Sequence, residues 1–397
     1  MLFKTLSAIA SLLPAALLFP STAVTAVPIM GPVTIYTPAA DYTNERSLYA
    51  RAIQLEYQKS GNGQILATWE NYSPENEGLV YFPIYSRQVV PYSPLIVHPL
   101  PFSQNNGKTW SEYSRAVDQV NGVGLKYQPD LYELPRDIGS FKKGTILLAG
   151  NSIPRDLQTT QIDLYASTDK GKTWNFVSHI ANGGVALPNN GETPVWEPRL
   201  MEYNGQIICY YSDQRDPKYG QKMVHQISND LKTWGPVVDD VTSPVYDHRP
   251  GMPTVALLPN GQYIMTYEFY GAPEYAFAVY YKLSDDPTKF GEKQGRVIRS
   301  QDGTVPVGSP FVVWTPAGPD DNGTLVVSAS SNSEVFLNTK LGAVDAWVKV
   351  ATDSPKAYTR GELVLKDSKR VALIAGGQLG QGATNKVTWT TIDIPRK

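Results

Sequence analysis

The chain has 397 residues, with 35 lysines and arginines against 37 aspartates and glutamates. Only 18% of residues are charged and the formal net charge is −2, so no basic patch is expected and neither nucleic acid nor a membrane surface is an expected partner. The single cysteine, Cys209 in "QIICYY", excludes an intrachain disulfide, so an apolar core must hold the fold, with Cys209 as a small buried hydrophobe within it.

The first 26 residues read as a secretory signal peptide. Lys4 supplies the positive start, Leu6 to Phe19 an apolar stretch broken by Pro14, and "AVTA", ending at Ala26, a small-residue cleavage site. That stretch is too short to span a bilayer, and no later one is long and apolar enough. Residues 27–397 are therefore expected as one exported, soluble domain.

From there on, one local pattern recurs. Two apolar runs rich in β-branched and aromatic residues flank a turn of Asn-Gly or Lys-Gly type, which predicts a β-hairpin. The copies are "LEYQKSGNGQILATW", "LYELPRDIGSFKKGTILLAG", "RLMEYNGQIICYY", "TVALLPNGQYIMTY" and "FVVWTPAGPDDNGTLVVSA", with a weaker sixth, "ELVLKDSKRVALIAG". Their turn glycines, Gly63, Gly144, Gly205, Gly261 and Gly323, are spaced by 81, 61, 56 and 62 residues. Between the hairpins stands a second phrase, Lys-Thr-Trp after a Ser/Asp/Gly turn, at Trp110, Trp174 and Trp234, with "KLSDDPTKF" ending at Phe290 as a decayed copy. Asp and Ser bond local amides and Gly takes a positive φ, so the phrase predicts a turn whose Trp packs into the core. Each unit then holds four strands. Six units fill the chain, and the expected fold is all-β: a six-bladed β-propeller with four-stranded antiparallel blades.

The first spacing is too long by about 20 residues. The excess lies in Val89 to Gln104, "VVPYSPLIVHPLPFSQ", which is either a surface insertion or a retained intron. "NYS" at Asn71 and "NGT" at Asn322 are glycan acceptor sequons, the first weakened by Pro74.

Chemistry in such a fold belongs to polar residues at the ends of the inner strands. "TPVWEPRL" places Glu197 between Trp196 and Pro198, and "YIMTYEFYG" places Glu268 among Tyr267, Phe269 and Tyr270. Two glutamates on adjacent blades in aromatic surroundings can converge on the axis. Paired carboxylates are what glycosidic cleavage needs, and an apolar shell raises one of them toward an acid's working pKa. The bland alternative is that each is a solvated or arginine-paired strand-end carboxylate. Glu70, Asn71, Asn151, Asp213, Arg215, Arg249, Tyr358 and Arg360 occupy comparable places and are candidate sugar binders. The four histidines lack metal-ligand spacing, so neither a metal nor a cofactor is expected.

The repeated Trp phrase resembles the Asp-box of sialidases and related propellers, which implies that Asp169 and Asp230 lie on an outer rim, away from chemistry. More specifically, "LATWENYSPE", "AGNSIP", "TQIDLYASTDKGKTW", "PVWEPRL", "CYYSDQRD" and "RPGMPTVALLPNGQYIMTYE" resemble the fungal exo-α-1,5-L-arabinanases of glycoside hydrolase family 93, from about Tyr36 to the C-terminus. The resemblance implies a secreted, six-bladed, retaining enzyme that releases arabinobiose from the non-reducing end of linear α-1,5-L-arabinan; a monomer is expected. It implies Glu197 as acid/base and Glu268 as nucleophile. The Val89–Gln104 stretch and Asn105, where the Asp-box has Asp, depart from the pattern. Two other readings are a sialidase-like exo-glycosidase, with Arg51, Arg249 and Arg360 as a carboxylate clamp, and a sugar-binding propeller without catalysis.

Overall fold

The structure, a computed structural model, describes residues 27–40, 42, 44–72, 79–87, 110–366, 370–380 and 385–394. The expected signal peptide, the Val89–Gln104 stretch, Pro74 and Asn105 lie outside the described residues. The described chain is all-β apart from one 3₁₀ turn, Phe290–Glu292, and its strands number from β1 (Val27–Tyr36) to β24 (Val387–Asp393).

Every hairpin expected from the turn glycines forms; the Gly63 hairpin joins β2 (Ser47–Gln54) to β3 (Ile65–Asn71) within a larger sheet, and each of the other four is the first pair of strands of a four-stranded sheet. β6 (Leu125–Glu133) and β7 (Ile146–Ser152) open the sheet β6 to β9. β10 (Val195–Tyr203) and β11 (Gln206–Asp213) open β10 to β13. β14 (Arg249–Leu257) and β15 (Tyr263–Tyr270) open β14 to β17, and β18 (Phe311–Thr315) and β19 (Thr324–Ser328) open β18 to β21. With β4 (Phe82–Arg87), β5 (Ser111–Ala116), β22 (Arg360–Val364) and β23 (Arg370–Ala375), a larger eight-stranded sheet runs β1-β24-β23-β22-β2-β3-β4-β5, joined at its middle by one parallel pair, Ala50 to Arg360. The first strands β2, β6, β10, β14, β18 and β22 touch one another in that order, and β22 returns to β2.

The sixth repeat is completed from the other end of the chain. Its outermost strand does not follow it in the chain. β1, from the N-terminal end, pairs antiparallel with β24 and supplies it, so the two chain ends are stitched into one sheet. A repeat search along the chain finds three strands there and cannot see the fourth.

The core is a set of separate layers, one between each pair of neighbouring sheets. Leu66, Phe82 and Ile84 meet Leu148, Tyr165 and Trp174 in one layer. Leu147, Leu164, Val195 and the buried Cys209 form the next.

The Lys-Thr-Trp phrase sits where strand three of a sheet turns into strand four. In the turn after β8 (Thr160–Ser167), Asp169 accepts the Lys172 and Thr173 amides at 3.1 and 2.9 Å, and Ser167 Oγ accepts the Gly171 amide at 2.8 Å. Asp230 and Ser228 repeat these bonds after β12 (Lys222–Ser228), at 2.8 Å from both the Lys232 and Thr233 amides. The tryptophans then anchor on the preceding sheet: Trp174 Nε1 donates to Ser114 Oγ, and Trp234 Nε1 to Ser178 Oγ. This turn is at the same end of the sheet as the turn between strands one and two, and opposite the end that carries Glu197 and Glu268. Asn71, acceptor of the first sequon, is 3% exposed.

Candidate active site

The first strands share an irregularity that aims side chains at the axis. Register slips at Leu48/Arg51, Tyr127/Asp130, Trp196/Arg199 and Gly251/Thr254. Each slip holds a residue with positive φ: Tyr49 (54°), Gln128 (59°), Glu197 (63°) and Met252 (58°), and Ser309 (43°) stands at the matching place before β18. Positive φ costs a side-chain-bearing residue energy and persists where the surroundings enforce it, often next to active sites. Proline follows four of the five, as Gln128-Pro129, Glu197-Pro198, Met252-Pro253 and Ser309-Pro310.

These bulges hand backbone amides to carboxylates one sheet back. Gln128 N donates to Glu70 Oε1 at 2.9 Å, Met252 N to Glu197 Oε2 at 2.7 Å, and Ser309 N to Glu268 Oε2 at 2.7 Å. Ser212 Oγ adds a 2.6 Å bond to Glu197 Oε2. The Glu197 amide itself donates to Gln128 Oε1 at 3.0 Å, which Asn151 Nδ2 holds from behind at 2.9 Å. Gly251 pairs in register with Glu268, and a methyl group there would lie 2.6 Å from Gln221 Nε2 and 3.3 Å from Glu197 Oε2. The two acids therefore need glycine between them.

Glu70, Glu197, Glu268, Arg249 and Tyr358 all line one cavity of about 970 Å³. Its walls push the three carboxyls up by excluding water. Glu70 is raised to about 7, against the Gln128 amide, Tyr72 hydroxyl and Arg51 charge that favour its anion. Glu268 is raised to about 8, first by burial and then by the negative charge of Glu197. Glu197 is also raised by burial, but the Ser212 hydroxyl, the Met252 amide and the charges of Arg249 and Arg51 all pull it back. The Ser309 amide and the Arg249 charge pull Glu268 back as well, so burial holds both acids above the ordinary carboxylate range while donors and arginine charge favour the anion of each. Tyr358 stays a neutral phenol, because burial and the charges of Glu268, Glu197 and Glu70 all oppose its ionisation. Arg249 is held by neutral oxygens, Asn190 Oδ1 at 2.7 Å and Gln214 Oε1 and Gln221 Oε1 at 2.9 Å, and so keeps its charge for the site.

Five of the expected sugar binders are not cavity residues. Asn71 is buried and accepts the Tyr36 hydroxyl at 3.4 Å. Asn151 spends its amide on Gln128 and on the Val195 carbonyl, 3.1 Å away, so it acts through Gln128. Asp213 and Arg215 neutralise each other, with Nη2 2.7 Å from Oδ2. Arg360 is fully buried, and its guanidinium donates to the backbone carbonyls of Ser333 and Glu334. Nor do Arg51, Arg249 and Arg360 form a clamp. Arg51 lies 4.1 Å over the Tyr49 ring and 4.8 Å over Phe311, and only Arg249 lines the cavity. Among the described residues no three His, Cys, Asp or Glu side chains gather as a metal site.

Gln128, Ser212, Gln221 and Tyr72 were missed from sequence. A signal existed for the first: the residue-proline pairs at 128, 197, 252 and 309 recur with the blade repeat, and Gln128 is the polar counterpart of Glu197 in the preceding sheet.

No family model and no curated protein sequence matches the chain. Solved structures do. The α-L-arabinanase of Penicillium chrysogenum, complexed with arabinobiose, is 48% identical over 93% of this chain and 99% of its own, with a TM-score of 0.83. The GH93 α-L-arabinofuranosidase of Fusarium graminearum, also with arabinobiose, is 47% identical over 92% of this chain and 98% of its own, with a TM-score of 0.84. The NanB sialidase of Streptococcus pneumoniae, 11% identical over 91% of this chain and 70% of its own with a TM-score of 0.54, shares the β-propeller fold alone. With nearly half of its residues identical to those two arabinan-related enzymes over more than nine-tenths of its length, the chain belongs to glycoside hydrolase family 93.

Proposed function

We propose that this protein is a secreted, monomeric, six-bladed β-propeller that cleaves linear α-1,5-L-arabinan from the non-reducing end, releasing arabinobiose with retention. The closed order of the six first strands supports the blade count. Arabinobiose bound to both relatives supports the substrate. The observation that carries the reading is the pair Glu197 and Glu268, buried in neighbouring sheets on one cavity and both raised by that burial.

Glu197 donates its proton to the departing glycosidic oxygen while Glu268 attacks the anomeric carbon, forming a glycosyl ester and breaking the link to the leaving chain. Both donors to Glu197 fall on Oε2, which leaves Oε1 to carry the proton. The Ser309 amide donates to Glu268 Oε2, which leaves Oε1 to form the bond. Glu197, now a carboxylate, takes a proton from water as that water hydrolyses the ester. Arabinobiose leaves, and Glu197 is again protonated. These are the roles that the family resemblance implies.

Early products of linear arabinan separate exo from endo action. Arabinobiose should dominate from the first minutes. A ladder of longer oligomers at low conversion would show internal cleavage and defeat the reading.

A further inference from the structure

The two glycan acceptor sequons meet opposite fates in the fold. In "NYS", Asn71 ends β3, pairs in register with Ser47, accepts the Tyr36 hydroxyl and is 3% exposed. A glycan on that side chain would have to displace the strands around it. In "NGT", Asn322 lies in the turn that joins β18 to β19. It is half-buried, but its Nδ2 has no hydrogen-bond partner among the described residues and reaches solvent.

The turn fixes this presentation. The Asn322 amide donates to Asp320 Oδ1 at 3.1 Å, and the Asn322 carbonyl accepts Trp314 Nε1 at 2.8 Å. Lys340 Nζ holds Asp320 from its other side, 2.8 Å from Oδ2. Gly323 follows at φ 64°, where a methyl group would lie 2.3 Å from the Thr315 carbonyl oxygen, so the turn needs glycine there. Asparagine in a turn usually spends its side chain on nearby backbone. Here the backbone of Asn322 is bonded on both sides while its side chain is left for a partner from outside the chain.

We propose that Asn322 carries an N-linked glycan and that Asn71 carries none. In the transfer, Asn322 Nδ2 attacks C1 of the N-acetylglucosamine of a lipid-linked oligosaccharide diphosphate. The C1–N bond forms, the C1–O bond to the diphosphate breaks, the lipid diphosphate leaves, and the side-chain amide gives up one proton. Thr324 sets the timing. Its hydroxyl belongs to the signal that the transferase reads, yet in the folded protein the residue is 1% exposed and Oγ1 donates to the Ala317 carbonyl at 2.7 Å. The glycan must therefore be added before β18 and β19 pair. Asn71 is open to the same transfer at that stage, but Pro74 works against it, and a chain modified there would have to bury a hydrated polymer in order to fold. The turn between β18 and β19 is at the end of the sheet opposite Glu197 and Glu268, so the glycan stands clear of the cavity. This inference rests on the export reading, because only an exported chain meets the transferase.

The test is production of the full chain in a yeast host, once with residues 1–26 and once with a proven yeast leader in their place. Intact mass is measured before and after peptide N-glycosidase F, which leaves aspartate where a glycan was, so peptide masses locate the site. The expected result is a single glycan, at Asn322, that is lost entirely in Asn322→Gln, with Asn71 unmodified. That variant removes no hydrogen bond that the side chain makes, so its folding is not at stake. A bare Asn322 in protein secreted behind the proven leader would overturn the proposal, and so would a glycan on Asn71 of the folded protein. Bare protein retained in the cell with residues 1–26, beside protein modified at Asn322 behind the proven leader, would defeat the export reading and uphold the site.

Discussion

Replacing either glutamate should nearly abolish turnover of linear arabinan, and the two losses should differ in kind. Glu268→Ala removes the attacking oxygen, and a loss of roughly 10⁴- to 10⁶-fold in kcat is expected on every substrate. Azide should restore part of it by entering from the vacated side, giving an arabinobiosyl azide of inverted configuration. Glu197→Ala removes the proton donor, with a loss of roughly 10²–10⁴-fold on arabinan, where the leaving sugar alkoxide needs a proton. An aryl arabinobioside with an acidic phenol should be cleaved far better by that variant, and azide should then give the retained product from the glycosyl ester. The pH profiles carry the same assignment. Burial raises Glu197, so parental kcat/KM should fall on the alkaline side only above the ordinary carboxylate range, as the acid loses its proton. On the aryl substrate that alkaline limb should vanish in Glu197→Ala. Swapped azide products would exchange the two roles and keep the pair.

Trp174→Ala should destabilise the protein by about 3–5 kcal/mol, the usual cost of emptying a core site of this size. Trp174 is 5% exposed and fills the layer between the sheet of β2 to β5 and that of β6 to β9. Its loss also frees the Ser114 hydroxyl, which donates to the Gly171 carbonyl and accepts the indole N–H. Neither Trp174 nor Asp169 lines the cavity, so the folded variant should keep the parental kcat and arabinobiose inhibition below its lowered Tm. A variant with the parental denaturant midpoint and no turnover would show that the repeated phrase does chemistry after all.

What was legible in the sequence follows from how local each feature is. Hairpins are local, so Gly144, Gly205, Gly261 and Gly323 announced strand pairs that all form. The Ser167–Asp169–Thr173 turn is equally local, and its bonds lie within seven residues. Closure of the ring is not local. The pairing of β1 with β24 links residues some 360 positions apart, and nothing near Val387 announces its partner. The site divides along the same line. Glu197 and Glu268 stood out because a carboxylate between Trp196 and Pro198, or among tyrosines, contradicts its neighbours. Arg360 and Asn151 contradict theirs just as strongly, yet their partners are carbonyls and an amide of other strands. A buried polar residue on an inner strand signals a need for partners, and only the three-dimensional structure says whether those partners are protein or sugar.

The central claim is a double displacement through Glu197 and Glu268. It is tested most directly by digesting linear arabinan in water containing methanol and assigning the anomeric proton of the first methyl glycoside by NMR. Methanol replaces water in the second step, and the methyl glycoside cannot mutarotate. A retaining enzyme must yield methyl α-arabinobioside, with the configuration of the bond that was cut. Appearance of the β-anomer as the first product would mean a single displacement and would contradict the account.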